Sequence, residues 1–235
     1  NIILNIFFEP TVNAARGIAN QVNTAITGFV QNFMTALNPQ ITKSYASGDK
    51  EYMMTLMFQG ARLSFYMLLL LSLPVLIHTH YILVIWLKLV PAHAVLFVRL
   101  ILIFALCESI SNPLITAMLA TGKIRNYQIV VGGLQLLNLP LSYLCLKLGS
   151  MPECILIVAI IISLACLFAR LYMLRGMIGL SSISYMKNVF LNVLTVALLS
   201  AILPCMLFYY MNETALSFMT ISLVAILCTL IVEFY

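Results

Sequence analysis

Residues 154–174 read CILIVAIIISLACLFARLYML, a run of 21 positions with a single charge, Arg170. A hydrocarbon core roughly 30 Å thick is crossed by about 20 apolar residues in a helix, so this stretch suffices for one crossing. Its apolar residues are continuous instead of alternating, which argues against a β-barrel strand. The same character recurs on both sides, with apolar runs at 54–77, 92–119, 127–146, 154–174, 188–210 and 214–235. Each is long enough to cross a bilayer with some tilt. The composition agrees, at 63% hydrophobic and 8% charged, with a mean hydropathy of +1.08. Soluble domains are about half apolar and about a quarter charged. The chain therefore reads as an all-α polytopic membrane protein.

Short polar or Pro/Gly-marked breaks separate the runs, and their charges assign an orientation. The first, third and fifth breaks carry Lys43 and Lys50, then Lys123 and Arg125, then Arg175 and Lys187, with Arg170 just inside its helix. The alternate breaks carry Lys88, then Lys147, and then, at Met211 to Glu213, nothing basic. Positive residues are retained on the cytoplasmic side, which places the first set and the C-terminus inside and Glu9-Pro10 outside. The net charge of +5 follows these loops and forms no cluster for nucleic acid. The chain opens inside an apolar run, Ile2 to Phe8, and stops inside another at Tyr235, so it is expected to be a piece of a longer protein. Residues 1–8 read as the end of a truncated transmembrane helix. Residues 9–180 read as a core bundle with helices at 12–44, 54–77, 92–119, 127–146 and 154–174. Residues 181–235 supply two additional transmembrane helices.

The segment 12–44 differs from the rest. Asn13, Arg16, Asn20, Asn23, Thr24, Thr27, Gln31 and Asn38 fall within an arc of about 100° on a helical wheel, and apolar residues cover the other side. A helix of this length extends about 50 Å, so the polar stripe runs the full depth of a bilayer. Facing lipid, it would strand polar groups at a cost of several kcal/mol each. Three arrangements satisfy it: a water-filled cavity, hydrogen bonding between helices, or an amphipathic helix on the membrane surface. Arg16 favours the cavity, because intramembrane arginines face a cavity or a partner. Asn13, Arg16, Asn20, Asn23, Thr27 and Gln31 are the candidate cavity-lining residues.

The run 92–119 contains Arg99 and Glu108, nine residues apart on opposite helix faces. Glu108, Asn112 and Thr116 share a face, and Pro113 removes a backbone hydrogen bond beside them, favouring a kink. Glu108, Asn112 and Pro113 form a candidate coupling or gating element; the alternative is a carboxylate bonded to a neighbouring helix. Arg99 lies near the outer end, where it can snorkel to the headgroups. His78, His80 and His93 surround the second break and read as a solvated loop, since i,i+2 spacing does not share a helical face for a metal. Asn126 and Gln128 open the run 127–146, and Asn138 with Pro140 interrupts it. The six cysteines, Cys107, Cys145, Cys154, Cys166, Cys205 and Cys228, are scattered without metal-knuckle or CxxC spacing and read as small packing residues. No nucleophile elbow, Walker loop or HExxH motif is present. No catalytic residue, cofactor or resident metal is expected.

Two stretches carry a resemblance. Asn13-Ala-Ala-Arg-Gly-Ile-Ala-Asn-Gln-Val-Asn23, continuing to Asn38-Pro-Gln-Ile-Thr-Lys-Ser-Tyr-Ala-Ser-Gly48, resembles the eighth helix of Wzx-type oligosaccharide flippases of the MATE/MOP superfamily, with the pattern of Bacteroides-like polysaccharide biosynthesis proteins. Ala120-Thr-Gly-Lys-Ile-Arg-Asn-Tyr-Gln-Ile-Val-Val-Gly-Gly133, with Asn138-Leu-Pro140, is similar to the same family. The resemblance is strong to about residue 180, and only hydropathy supports it beyond. It implies the C-terminal helical bundle of a MATE/MOP-like transporter of about fourteen spans. The partners implied are a missing N-terminal bundle of the same protein, membrane lipids and polysaccharide assembly proteins. The function implied is movement of undecaprenyl-pyrophosphate-linked oligosaccharide across the bacterial cytoplasmic (inner) membrane by alternating access, for surface polysaccharide or O-antigen biosynthesis. Arg16 matches a cavity arginine of that family, whereas Glu108 matches no motif of it. A MATE-like multidrug or small-cation antiporter is the alternative, and a membrane-embedded glycosyltransferase, ligase or polymerase is the third class.

Overall fold

A computed structural model describes residues 2–211 and 214–234. It is helical, with no strand among the described residues. The elements are α1 (Ile2–Phe7), α2 (Pro10–Ala46), α3 (Lys50–Ile77), α4 (Thr79–Leu87), α5 (Ala94–Ala120), α6 (Ile124–Leu136), α7 (Asn138–Lys147) and α8 (Cys154–Ile178). After these come α9 (Ser182–Tyr185), a π-helical segment (Met186–Leu191), α10 (Asn192–Tyr210) and α11 (Ala215–Phe234). Local chemistry explains the boundaries. Glu9 is extended and Pro10 opens α2, where a missing N–H costs nothing. Gly48, at φ 81°, turns the chain, and the Asp49 carboxylate accepts from the Tyr52 N–H at 3.0 Å to cap α3.

Five helices are long and apolar enough to cross a membrane: Lys50–Ile77, Ala94–Ala120, Ile124–Lys147 (α6 and α7 together), Cys154–Ile178 and Ser182–Tyr210. They fit a multi-pass membrane protein. The last apolar run is represented by a shorter stretch, Leu216–Val232; Asn212, Glu213 and Tyr235 lie outside the described residues. The surface of α6 and α7 is largely apolar, with Leu136, Leu137, Leu139, Leu141 and Leu144 exposed. Such a surface is stable only where lipid or protein covers it.

Around the second break the structure is a loop at 88–93 with His80 exposed, but His78 does not belong to a solvated loop. After α3 the chain re-enters a short helix, α4, because Thr79–Leu87 is apolar enough to lie along the bundle with Val84, Ile85 and Trp86 exposed. His78 at the junction is buried, with its ring edge-on to Phe208 and Phe218. His93 caps α5 in a left-handed conformation, φ 69°.

Helices α2, α3 and α5 pack mutually as the centre of the molecule. α8 lies on the far side of α5, with α6 and α7 against α8. α10 and α11 pair with each other and lean on α3. Thr116 donates to Asn38 Oδ1 at 2.7 Å near the C-terminal ends of α5 and α2, which therefore run parallel. Gly60 of α3 sets the closeness of this group. A Cβ built there lies 2.2 Å from Leu37 Cδ2 and 3.5 Å from Pro113 Cγ. Gly60→Leu is expected to destabilise the bundle by about 1–3 kcal/mol through overpacking. Gly60→Ala should cost less, since the end of the Leu37 side chain can move. Thermal denaturation of the purified variants in detergent checks this, and an unchanged midpoint for Gly60→Leu would contradict it.

Candidate functional site

At mid-depth the polar face of α2 meets α5 across a cleft of about 180 Å³. Asn23, Thr27 and Gln31 contribute from α2, and Glu108, Ser109 and Asn112 from α5. The depth follows from position: Glu108 is 14 residues from Ala94 and 12 from Ala120, the ends of α5, or about 21 and 18 Å at 1.5 Å per residue. A second cleft, of about 220 Å³, opens on the other side of α5. Gln135, Asn138, Ser163 and Cys166 line it together with Phe104 and Glu108. Phe104 and Glu108 are common to both clefts. The Ser163 hydroxyl of α8 donates to the Glu108 carboxylate. The carboxylate is thus bonded to a neighbouring helix and also stands at the wall of the cleft facing α2. Asn138 reaches the second cleft because the backbone breaks at Leu137; its Oδ1 accepts from Ser142 at 3.0 Å.

The polar stripe of α2 divides into three parts. At the C-terminal end Asn38 is tied to Thr116, a bond between helices. In the middle Asn23, Thr27 and Gln31 line the cleft with Glu108 and Asn112. Nearer the N-terminus Asn13, Arg16 and Asn20 line neither cleft. There Asn13 donates to Asn5 of α1, Asn20 is exposed, and Arg16 is half-buried with no partner for its Nε. The threonines satisfy themselves. Thr24, Thr27 and Thr35 donate to the carbonyls of Asn20, Asn23 and Gln31, four residues back, at 2.7–2.9 Å. The stripe's unmet hydrogen-bonding capacity therefore rests on its amides and on Arg16; Asn13 Oδ1 and Asn23 Oδ1 are also buried without partners. Pro113, the gating candidate beside Glu108, is buried against Gly60.

Other polar groups escape a hydropathy reading. Arg170 on α8 is 1% exposed, and its Nε and Nη1 have no partner. Arg62 is half-buried within α3. Averaging over a window hides Arg62, and it does not foretell that Arg170 is buried. Arg99 donates to Thr79 Oγ1 at 3.3 Å, a bond that joins α5 to the start of α4. His93 Nδ1 pairs with Glu153 Oε1 at 2.6 Å, joining the starts of α5 and α8. Glu153 is 4% exposed, and only a pairing across 60 residues explains how it is accommodated. The Tyr185 hydroxyl donates to the Ile110 carbonyl at 2.7 Å, one turn ahead of Pro113. Among the described residues no group of three His, Cys, Asp or Glu is placed to hold a metal ion. No family model, curated protein or solved structure matches the chain.

Proposed function

We propose that the chain forms the C-terminal bundle of a flippase for undecaprenyl-pyrophosphate-linked oligosaccharides in the bacterial cytoplasmic membrane. The observation that carries this reading is the mid-depth cleft in which Asn23, Thr27 and Gln31 meet Glu108 and Asn112. A sugar chain needs many neutral hydrogen-bond partners, and amides and hydroxyls at membrane depth supply them while lipid retains the polyprenyl tail. The resemblance of Asn13–Gly48 to the eighth helix of Wzx-type proteins supports the same reading. In it a second bundle, supplied by the same protein, faces α2 and completes the cavity. The double variant Asn23→Leu/Gln31→Leu is expected to lower surface-polysaccharide export about tenfold or more, a barrier change of about 1.4 kcal/mol. The assay is complementation of a flippase-null strain by the intact protein, normalised to membrane-inserted protein. Undiminished export would remove the cleft from the transport path.

A second reading, a MATE-like cation-coupled antiporter, is favoured by one observation. The polar face of α2 carries no carboxylate of its own, but packing brings Glu108 to it. Export of organic cations, measured in the same strain, separates the two readings.

The proposed orientation puts the outer ends of α2, α5 and α8 on the periplasmic side and the C-terminus in the cytoplasm. In a cysteine-free background, a Cys at Gly48 or Asn126 is expected to resist a membrane-impermeant thiol reagent in intact cells, and a Cys at Asn212 to react. The reverse pattern would invert the assignment.

A further inference from the structure

The outer end of the α7–α8 hairpin holds two cysteines that the sequence spacing gives no reason to pair. Cys145 lies in the last turn of α7, and Cys154 is the first residue of α8. The connection between them is tightly folded. Gly149, at φ 84°, reverses the chain, with the Leu148 and Gly149 N–H groups donating to the Leu144 and Leu146 carbonyls at 3.0 Å. The Cys145 carbonyl accepts from Ser150 N–H at 3.2 Å, and Cys154 N–H donates to the Met151 carbonyl at 3.0 Å. Both cysteine backbones are therefore anchored to one adjacent pair, Ser150 and Met151. Both cysteines are free in this structure, and their thiol groups are near enough to interact. Neither is fully buried, so a reagent can approach both. Next to them, Glu153 pairs with His93 and fixes this end of α8 to the start of α5.

We propose that Cys145 and Cys154 are a disulfide-forming pair that fastens the outer ends of α7 and α8. The proposal rests on the orientation given above, which puts this hairpin on the oxidising face of the membrane, where disulfides persist. The oxidant is an external protein disulfide donor. One cysteine thiolate attacks the donor's disulfide, forms a mixed disulfide and releases one donor thiolate. The second attacks the protein sulfur of that mixed disulfide and expels the other donor thiolate. Two protein thiols are oxidised by two electrons and one donor disulfide is reduced to two thiols, so the exchange balances. The cross-link closes a loop of eight intervening residues, 146 to 153. It leaves the break at Leu137 as the free articulation of the α6–α7 span, because α7 can no longer part from α8.

The test uses the full chain in cells. Protein is acid-quenched, blocked with N-ethylmaleimide, reduced, and then tagged with a polyethylene-glycol maleimide. Two tags are expected in most chains, and none in the C145S or C154S variants. Absence of tags in the parent chain, or tags that persist in C145S, would overturn the pairing. If the thiols are free, a charged maleimide applied to right-side-out and inside-out vesicles separates the causes. Labelling in right-side-out vesicles would leave the orientation standing and reject the disulfide alone. Labelling only in inside-out vesicles would reject the orientation and the proposal with it.

Discussion

Arg16→Gln is expected to remove most export activity, tenfold or more, at unchanged abundance in the membrane, whereas Arg16→Lys should retain part of it. Arg16 lies near the N-terminal end of α2, half-buried, with Nε lacking a hydrogen-bond partner. Among the described residues no carboxylate pairs with it, which weakens a purely structural role. In the proposed function, a pyrophosphate-linked substrate would supply the missing anion. An Arg–phosphate pair at 4 Å is worth about 4 kcal/mol at an effective dielectric near 20, and the guanidinium can bind two oxygens at once. Lysine keeps the charge but not the bidentate geometry. The competing view places a carboxylate of the facing bundle against Arg16; then Arg16→Gln lowers protein abundance first, because that partner is left buried and unpaired. Complementation normalised to inserted protein distinguishes the two. Full export by Arg16→Gln at normal abundance would exclude a substrate role.

For Glu108→Gln the expected result is a loss of the pH dependence of transport together with a fall in rate of about tenfold or more. The glutamine keeps the shape of the side chain and can still bond to Ser163, so insertion should be unaffected. What it removes is an ionisable group at mid-depth, positioned between two clefts. Intramembrane carboxylates in such positions serve ion or proton relays. Ser163→Ala is the control, since it deletes the hydroxyl that donates to Glu108 and should cost stability, about 1–3 kcal/mol, while leaving the pH profile in place. Transport rates in vesicles at controlled pH on each side measure both. An unaltered profile in Glu108→Gln would leave the carboxylate with only its bond to α8.

The all-helical, multi-crossing character was legible because a run such as Cys154–Leu174 has only one way to satisfy its backbone in lipid. The polar face of α2 was legible for a related reason: the helical period gathers Asn23, Thr27 and Gln31 on one side whatever they meet. What they meet is a tertiary fact. Nothing local to Glu108 reveals that α5 presents it to α2 on one flank and to Ser163 of α8 on the other. His78 was misread because a histidine beside a break resembles a loop residue, and only the arrival of Phe208 and Phe218 buries it. The pair His93–Glu153 was invisible for the same reason. Arg62 was passed over because a single charge does not interrupt an apolar average, and Arg170 was taken as an orientation signal at its helix end. Arg170 shows what that average conceals, a fully buried guanidinium.

The length of α2 has a consequence for the lipid around it. Its 37 residues span about 55 Å, well beyond a hydrocarbon core of roughly 30 Å. The amides spaced along its polar side leave no sharply bounded greasy band to register with the acyl chains. Its neighbours α3 and α5 are predominantly apolar, with few charges between them, and answer a thicker or thinner bilayer by changing tilt. α2 follows them where it is fastened, at Leu37 against Gly60 and at Asn38 to Thr116. Its other half packs through small and apolar residues, Val12, Ala15, Ala19 and Ile26, which are buried. A bilayer of different thickness therefore reaches α2 through its neighbours: as α3 and α5 change tilt, α2 is carried with them, and its own amide-lined side sets no preferred depth.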